Sequence, residues 1–181
     1  MKRLNLGCGN DYREGWVNHD YLPHVKADVY FDLNKYPYPL KAGQFDGVYA
    51  SHVIEHLDRP IRALEEIHRV LKPGGILVMK SPHFSRGFTD PTHKSGFSVH
   101  FFEYFNPNSK WMPVPYSTKR WWVVSAKVRM RGENPHGTLS LFWRLLDAAA
   151  NASPHFFDAF WCYWFGGAAE LVFEAEKAEG D

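Results

Sequence analysis

The chain has little cysteine. Cys8 and Cys162 alone occur among 181 residues. That is too few for a disulfide framework, and the usage suits a reducing compartment. Net charge is also small, +1 at pH 7, so composition offers no electrostatic case for nucleic acid. The basic stretch holding Lys119, Arg120, Lys127, Arg129 and Arg131 reads as a solvated strand face. No long apolar run is present. The most apolar stretch, Phe156 to Phe173, is broken by Asp158, Gly166, Gly167 and Glu170, which argues against a membrane span. No apolar segment follows Lys2 and Arg3, so a signal peptide is not expected and the location is expected to be cytoplasmic. The Asn151-Ala152-Ser153 sequon is then without consequence. Repeats, low-complexity segments and linkers are absent too, which leaves one domain, 1–181.

What is present reads as alternating strands and turns. Lys2 to Leu6, Trp16 to Asp20, Ala27 to Phe31 and Phe45 to Ala50 read as four strands. Pro37 and Pro39 keep the segment Tyr36 to Leu40 out of helix. From Asp58 to Leu71 the spacing of Ile61, Leu64, Ile67 and Leu71 predicts a helix with one apolar face. Pro73-Gly74-Gly75 stops it, and Ile76 to Met79 is an apolar run of the kind found in a strand covered on both sides. Strand, helix and strand within about thirty residues make a βαβ unit. Beyond Ser81 the pattern loosens. Val99 to Phe105 reads as a short helix, Trp121 to Met130 as a strand, Leu139 to Ala150 as a helix and Ala168 to Glu176 as the last strand.

The first strand runs into Gly7-Cys8-Gly9. A phosphate-binding loop would need a longer turn closed by Gly-Lys-Ser/Thr, which is missing. A dinucleotide fingerprint would need a third glycine where Tyr12 stands. An S-adenosylmethionine site needs less: close backbone approach, an acid for the ribose and polar contacts for the adenine. Asp20, at the end of the second strand, suits the ribose hydroxyls. Asp32 suits the adenine amino group, with Leu33 packed on the ring.

Taken together, the segments Leu4 to Gly9, Asp20, Asp32-Leu33, Phe45 to Leu57 and Leu71 to Gly75 resemble the class I S-adenosylmethionine-dependent methyltransferases, near the small type 11 branch. The resemblance covers roughly Leu4 to Met79. It implies an α/β, Rossmann-like, mostly parallel seven-stranded sheet with helices on both faces and a reversed last hairpin. It divides the domain into a cofactor-binding half, 1–80, and an acceptor-side half, 81–181. It also implies cofactor contacts from Gly7, Cys8, Gly9, Asp20, Asp32, Leu33, Ser51 and His52. Asn5 stands where the family usually has an acid, and still offers hydrogen bonds to the cofactor. Only Asp11 to Gly15 separate the turn from the second strand, whereas a parallel crossover normally takes a dozen residues and a helix. The helix after the first strand is therefore expected to be missing or cut to a turn.

Methyl transfer from a sulfonium needs an acceptor held in line and a dry site. A base helps where the acceptor is a hydroxyl. His83, after the fifth strand, and His93, in Asp90-Pro91-Thr92-His93, are the candidates. His83, His93 and His100 match no zinc spacing, and no metal is expected. The aromatic run Phe156 to Phe165 reads first as core packing over the sheet. The expected activity is methyl transfer to a small-molecule acceptor, a sugar or other metabolite, without nucleic acid or membrane insertion. The competing reading is a non-catalytic methyltransferase-like binding or regulatory module, which predicts a filled cavity beside the cofactor. A nucleic-acid enzyme predicts a contiguous basic surface there.

Overall fold

The computed structural model describes residues 1–106, 108–109, 116–131 and 140–178. Seven strands form one sheet in the order β3-β2-β1-β4-β5-β7-β6. They are β1 (Arg3–Leu6), β2 (Val17–Asp20), β3 (Val29–Tyr30), β4 (Phe45–Ser51), β5 (Leu71–Pro82), β6 (Trp121–Arg129) and β7 (Glu170–Lys177). The first five run parallel, and β7 runs antiparallel to both β5 and β6. This is the mostly parallel sheet with a reversed last hairpin. The main helices are α1 (Pro60–Val70), a single turn α2 (Phe84–Gly87) and α3 (Ser140–Ala152). Leu139, where the sequence places the start of α3, lies outside the described residues.

Cross-strand register sorts the side chains into two faces. Leu4 pairs with Val48, Val48 with Leu77 and Leu77 with Ala175; Leu6 pairs with Ala50, Ala50 with Met79 and Met79 with Phe173. All of these are buried, and α1 turns Ala63, Leu64, Ile67 and Val70 into the same core. Arg59 precedes α1, and Pro60 opens it, where a missing N–H costs nothing.

The opposite face carries Asn5, Tyr49, Val78 and Glu174 in one row and Ser51, Lys80 and Val172 in another. These residues line a broad, open cavity of about 1310 Å³. No helix lies between β1 and β2 or between β2 and β3. The expected shortening after the first strand is thus present, and that face lacks the cover a crossover helix supplies.

Several boundaries move. β5 begins at Leu71 rather than Ile76, because Lys72 to Gly75 bulge out between two stretches of ladder, with Gly74 at φ +69°. β3 shrinks to Val29–Tyr30 because the Asp28 carboxylate takes the Asn18 N–H (2.7 Å). The predicted helix over 99–105 is a 3₁₀ turn, Phe101–Tyr104. The aromatic run is mostly at the surface rather than over the sheet. It forms a helical stretch from Pro154 to Trp164 with a π turn at Phe157–Trp161. Phe157, Asp158 and Cys162 are buried, while Trp164 and Phe165 are more than 70% exposed. Its helical period lets one side anchor and leaves the rest outward.

The exposed edge of β6 is closed by α3. Asn151 accepts from Val128 N–H (2.8 Å) and donates to Val128 O (2.7 Å), and Asp147 accepts from Met130 N–H (2.7 Å). Side chains there do what a further strand would do. The sequon asparagine is spent on this edge.

Candidate functional site

The site grows from the end of β1. Gly7 sits at φ +60°, and a Cβ there would meet Val53 Cγ2 at 2.5 Å, so conformation and close packing both require glycine. Gly9, at φ +49°, faces open space. The Asp20 carboxylate reaches back to the turn. Its Oδ2 accepts from Gly9 N–H (2.9 Å), and its Oδ1 accepts from Tyr21 N–H (2.8 Å) and Leu22 N–H (3.0 Å). A carboxylate has about four acceptor positions, so one remains for a ligand hydroxyl.

His19 was not singled out in the sequence, although it stands beside Asp20 at the strand end. It is buried, and its Nδ1 accepts from Gly7 N–H (3.2 Å). Its Nε2 therefore carries the proton and donates to Phe31 O (2.9 Å). Burial lowers its pKa, against the opposing pull of the Phe31 carbonyl and Asp20. Neutral His19 holds the turn in shape.

The missing crossover helix is replaced by two asparagines. Asn18 Oδ1 accepts from Arg13 N–H (2.9 Å) and from Asn5 Nδ2 (3.2 Å). Asn18 Nδ2 lies within hydrogen-bonding distance of Arg13 O (3.0 Å) and Asp28 Oδ2 (3.0 Å). Asn5 Nδ2 donates to Asp11 O (2.7 Å). A short irregular connection has backbone groups with no helical partner, and these amides supply them. An acid at position 5 could not donate to a carbonyl.

A cavity of about 630 Å³ opens at the carboxyl ends of the parallel strands. Gly7, Asp20, Asp32, Leu33 and His52 line it, with Leu22, Val53 and Leu57 adding apolar wall and Asn34, His56, Thr92 and Lys94 adding polar groups. Asp32 Oδ1 accepts from Asn34 N–H (2.9 Å), and its Oδ2 has no partner among the described residues. Asn5, Cys8, Gly9 and Ser51 line the larger cavity on the other face instead, to which Gly7 also contributes. Strand-end position, not volume, marks the smaller cavity as the candidate site, because ligands of such sheets bind there. Cys8 is buried, and desolvation with the nearby Asp20 charge pushes its thiol pKa up, so it is a neutral filler.

His52 follows β4 at φ +53°, unusual for a residue with a side chain. Its Nε2 meets Glu170 Oε1 (2.9 Å) and its Nδ1 lies 3.3 Å from Glu55 Oε1. The Glu170 and Glu55 carboxylates push its pKa up to about 9, against burial. At neutral pH it is an imidazolium, a charge rather than a base.

His83 and His93 are not brought together. His83 is fully buried and lines neither cavity. Its Nε2 meets Asp158 Oδ1 (2.8 Å) and its Nδ1 meets Ser85 Oγ (2.7 Å), while Asp158 Oδ2 accepts from Val99 N–H (2.9 Å). The group pins the aromatic helical stretch to the end of β5. His93 instead packs edge-on against His56, ring centroids 4.7 Å apart, beside the cavity. His100 contacts His155 (3.1 Å), so His83, His93 and His100 form no shared cluster.

Comparison with known proteins gives a family match and a likeness of fold. Residues 22–79 match the family model described as "Methyltransferase domain". Across 97% of its length the chain superimposes on a SAM dependent methyltransferase from Archaeoglobus fulgidus, covering 86% of that chain, with TM-score 0.54 and 19% identity. An S-adenosylmethionine dependent methyltransferase from Mesorhizobium loti gives TM-score 0.56 at 13% identity, with 97% and 90% of the two chains covered. At these identities the likeness is one of fold. A segment of 61 residues, 34% of the chain, is 39% identical to an uncharacterized 37.1 kDa protein in transposon TN4556 of Streptomyces fradiae, and spans 17% of that relative's length.

Proposed function

We propose that the chain is a class I S-adenosylmethionine-dependent methyltransferase, with S-adenosylmethionine as its cofactor, and that it methylates a small-molecule acceptor. The observation that carries this reading is the strand-end cavity lined by Gly7, Asp20, Asp32, Leu33 and His52. Its groups fit the cofactor. Asp20 keeps one acceptor position for the ribose, Asp32 Oδ2 suits the adenine amino group, and Leu33 with Leu22 gives the ring an apolar wall. Asp20 and Asp32 against His52 and Lys94 give both signs of charge, as a zwitterionic ligand requires. When bound, the cofactor supplies an electrophilic methyl group.

The acceptor is proposed to enter from the side formed by His56, Thr92 and Lys94. An open cavity with polar walls supports an enzyme over a filled, non-catalytic module. Lys94 is paired with Asp58 (2.6 Å), and Asp20 and Asp32 lie in the same wall. That mixture supports a small acceptor over a polyanion. Of the two histidines expected to act as bases, His93 stands beside this entrance, and His83 is read as a structural pin.

Calorimetry with S-adenosylmethionine tests the reading. We expect binding to the native chain and a loss of at least about tenfold in Asp20→Ala, equivalent to 1.4 kcal/mol. Because Asp20 also holds the turn, Asp32→Ala serves as the second variant, with a smaller loss and unchanged folding. No binding to the native chain, or equal binding by both variants, overturns the assignment.

A further inference from the structure

We propose that Glu55, His56 and His93 bind a divalent transition-metal ion of the zinc type at the rim of the cofactor cavity. One ligand atom from each of the three lies within 4.8 Å of the others. The two rings are already set for ligation. His56 Nδ1 faces Thr92 O (3.3 Å) and Thr92 Oγ1 (3.1 Å). Thr92 Oγ1 donates its own proton to Asp90 Oδ1 (2.7 Å), so it accepts from the imidazole. His93 Nδ1 is held by Gly87 O. Carbonyls only accept, so the Nδ1 atoms carry protons and Nε2 is the nitrogen each neutral ring offers, with Asp90 Oδ2 3.9 Å from that of His93. Metal-binding histidines are held in this way, by an outer hydrogen bond on the far nitrogen.

The third member supplies the independent sign of a missing ligand. The side chain of Glu55 is fully buried, and neither carboxylate oxygen has a hydrogen-bond partner. His52 Nδ1 lies 3.3 Å from Oε1 as an ion-pair neighbour, which leaves Oε2 with no cationic partner of its own among the described residues. Buried polar atoms are nearly always paired, and a buried carboxylate short of hydrogen-bond donors is destabilising. A cation between this carboxylate and the two imidazoles removes that cost. The loop is fastened for the purpose, since Lys94 N–H (2.8 Å) and Ser95 N–H (3.2 Å) both donate to the Glu55 carbonyl. Two imidazole nitrogens and one carboxylate oxygen form a set that suits zinc or a neighbouring first-row ion, with a further position left for water or an acceptor oxygen. His56 and Thr92 also line the cofactor cavity, so the ion stands beside the proposed acceptor entrance.

The test needs neither cofactor nor acceptor, so its result is separate from that of the methyltransferase reading. Metal-stripped full-length protein is titrated with zinc chloride by calorimetry and followed by thermal melting. Expected are one equivalent bound, a raised melting temperature, and losses of at least tenfold in affinity in Glu55→Gln and in His93→Gln. His155→Ala, at the other histidine pair, should bind zinc as the native chain does. No zinc binding by the native chain, undiminished binding in Glu55→Gln, or binding lost only in His155→Ala overturns the proposal.

Discussion

At one end of the sheet, beside the proposed site, β1 and β2 have four residues each and β3 has two. At the other end β5 has twelve, β6 nine and β7 eight. The long strands are held by extended ladder, interrupted by bulges in β5 and β6, and by an aromatic core in which Phe173 lies 5.0 Å from Phe102, ring to ring. The short strands cannot rely on ladder, and no crossover helix backs them. They are knitted by Asn5, Asn18, His19, Asp20 and Asp28, each bonded to backbone of a neighbouring segment. One end is stabilised mainly by burial, the other by polar side chains whose partners are main-chain groups. The proposed binding site lies at the second end, so its shape depends on hydrogen bonds more than on apolar area.

Three experiments break or sharpen this contrast. The largest effect should come from Phe173→Ala, which empties a buried aromatic position and should cost about 3–5 kcal/mol in denaturant unfolding. Cofactor affinity of the molecules still folded should stay within about twofold. Next comes Asn18→Ala, expected to cost about 3 kcal/mol because several backbone partners lose their bonds together. Here affinity should fall with stability, and Asn5→Asp should do the same to a lesser degree. If Phe173→Ala cuts affinity while Asn18→Ala spares it, the two ends are not held as described.

The smallest effect is a pH dependence at His19. Its folded pKa is lowered by burial, so the native state holds it neutral while the unfolded chain takes up a proton near pH 6.5. The contribution is therefore present above about pH 6.5 and is lost as the pH falls below it toward the folded pKa. Protonation would also remove the acceptor for Gly7 N–H. Melting temperature and cofactor affinity should both decline on that acid limb, and His19→Asn should flatten the decline. A limb unchanged in His19→Asn would assign it to another group.

Much of this end was legible in the sequence because its signals are local. A glycine turn after a strand and acids at the next two strand ends predict their own positions, and Gly7, Asp20, Asp32 and Leu33 meet in one cavity. The family resemblance implies contacts from Asn5 and Ser51 as well, and strand alternation puts these two along the larger cavity on the other face. The histidines were harder. His83 depends on Asp158, far along the chain, and His93 on a loop tied down at Glu55. No spacing rule relates such partners. The aromatic run misled because composition records apolarity, whereas a helix buries only one of its sides.

By itself, the sequence determined the order of strands and turns, the absent crossover helix and the residues at each strand end, since these follow from propensity and from distance along the chain. Only the tertiary structure decided which face each strand residue occupies, that two asparagines replace the lost helix, and that Glu55, His56 and His93 converge. Those outcomes depend on register and loop closure, where groups remote in sequence meet because their hydrogen bonds and apolar surfaces have no nearer partners.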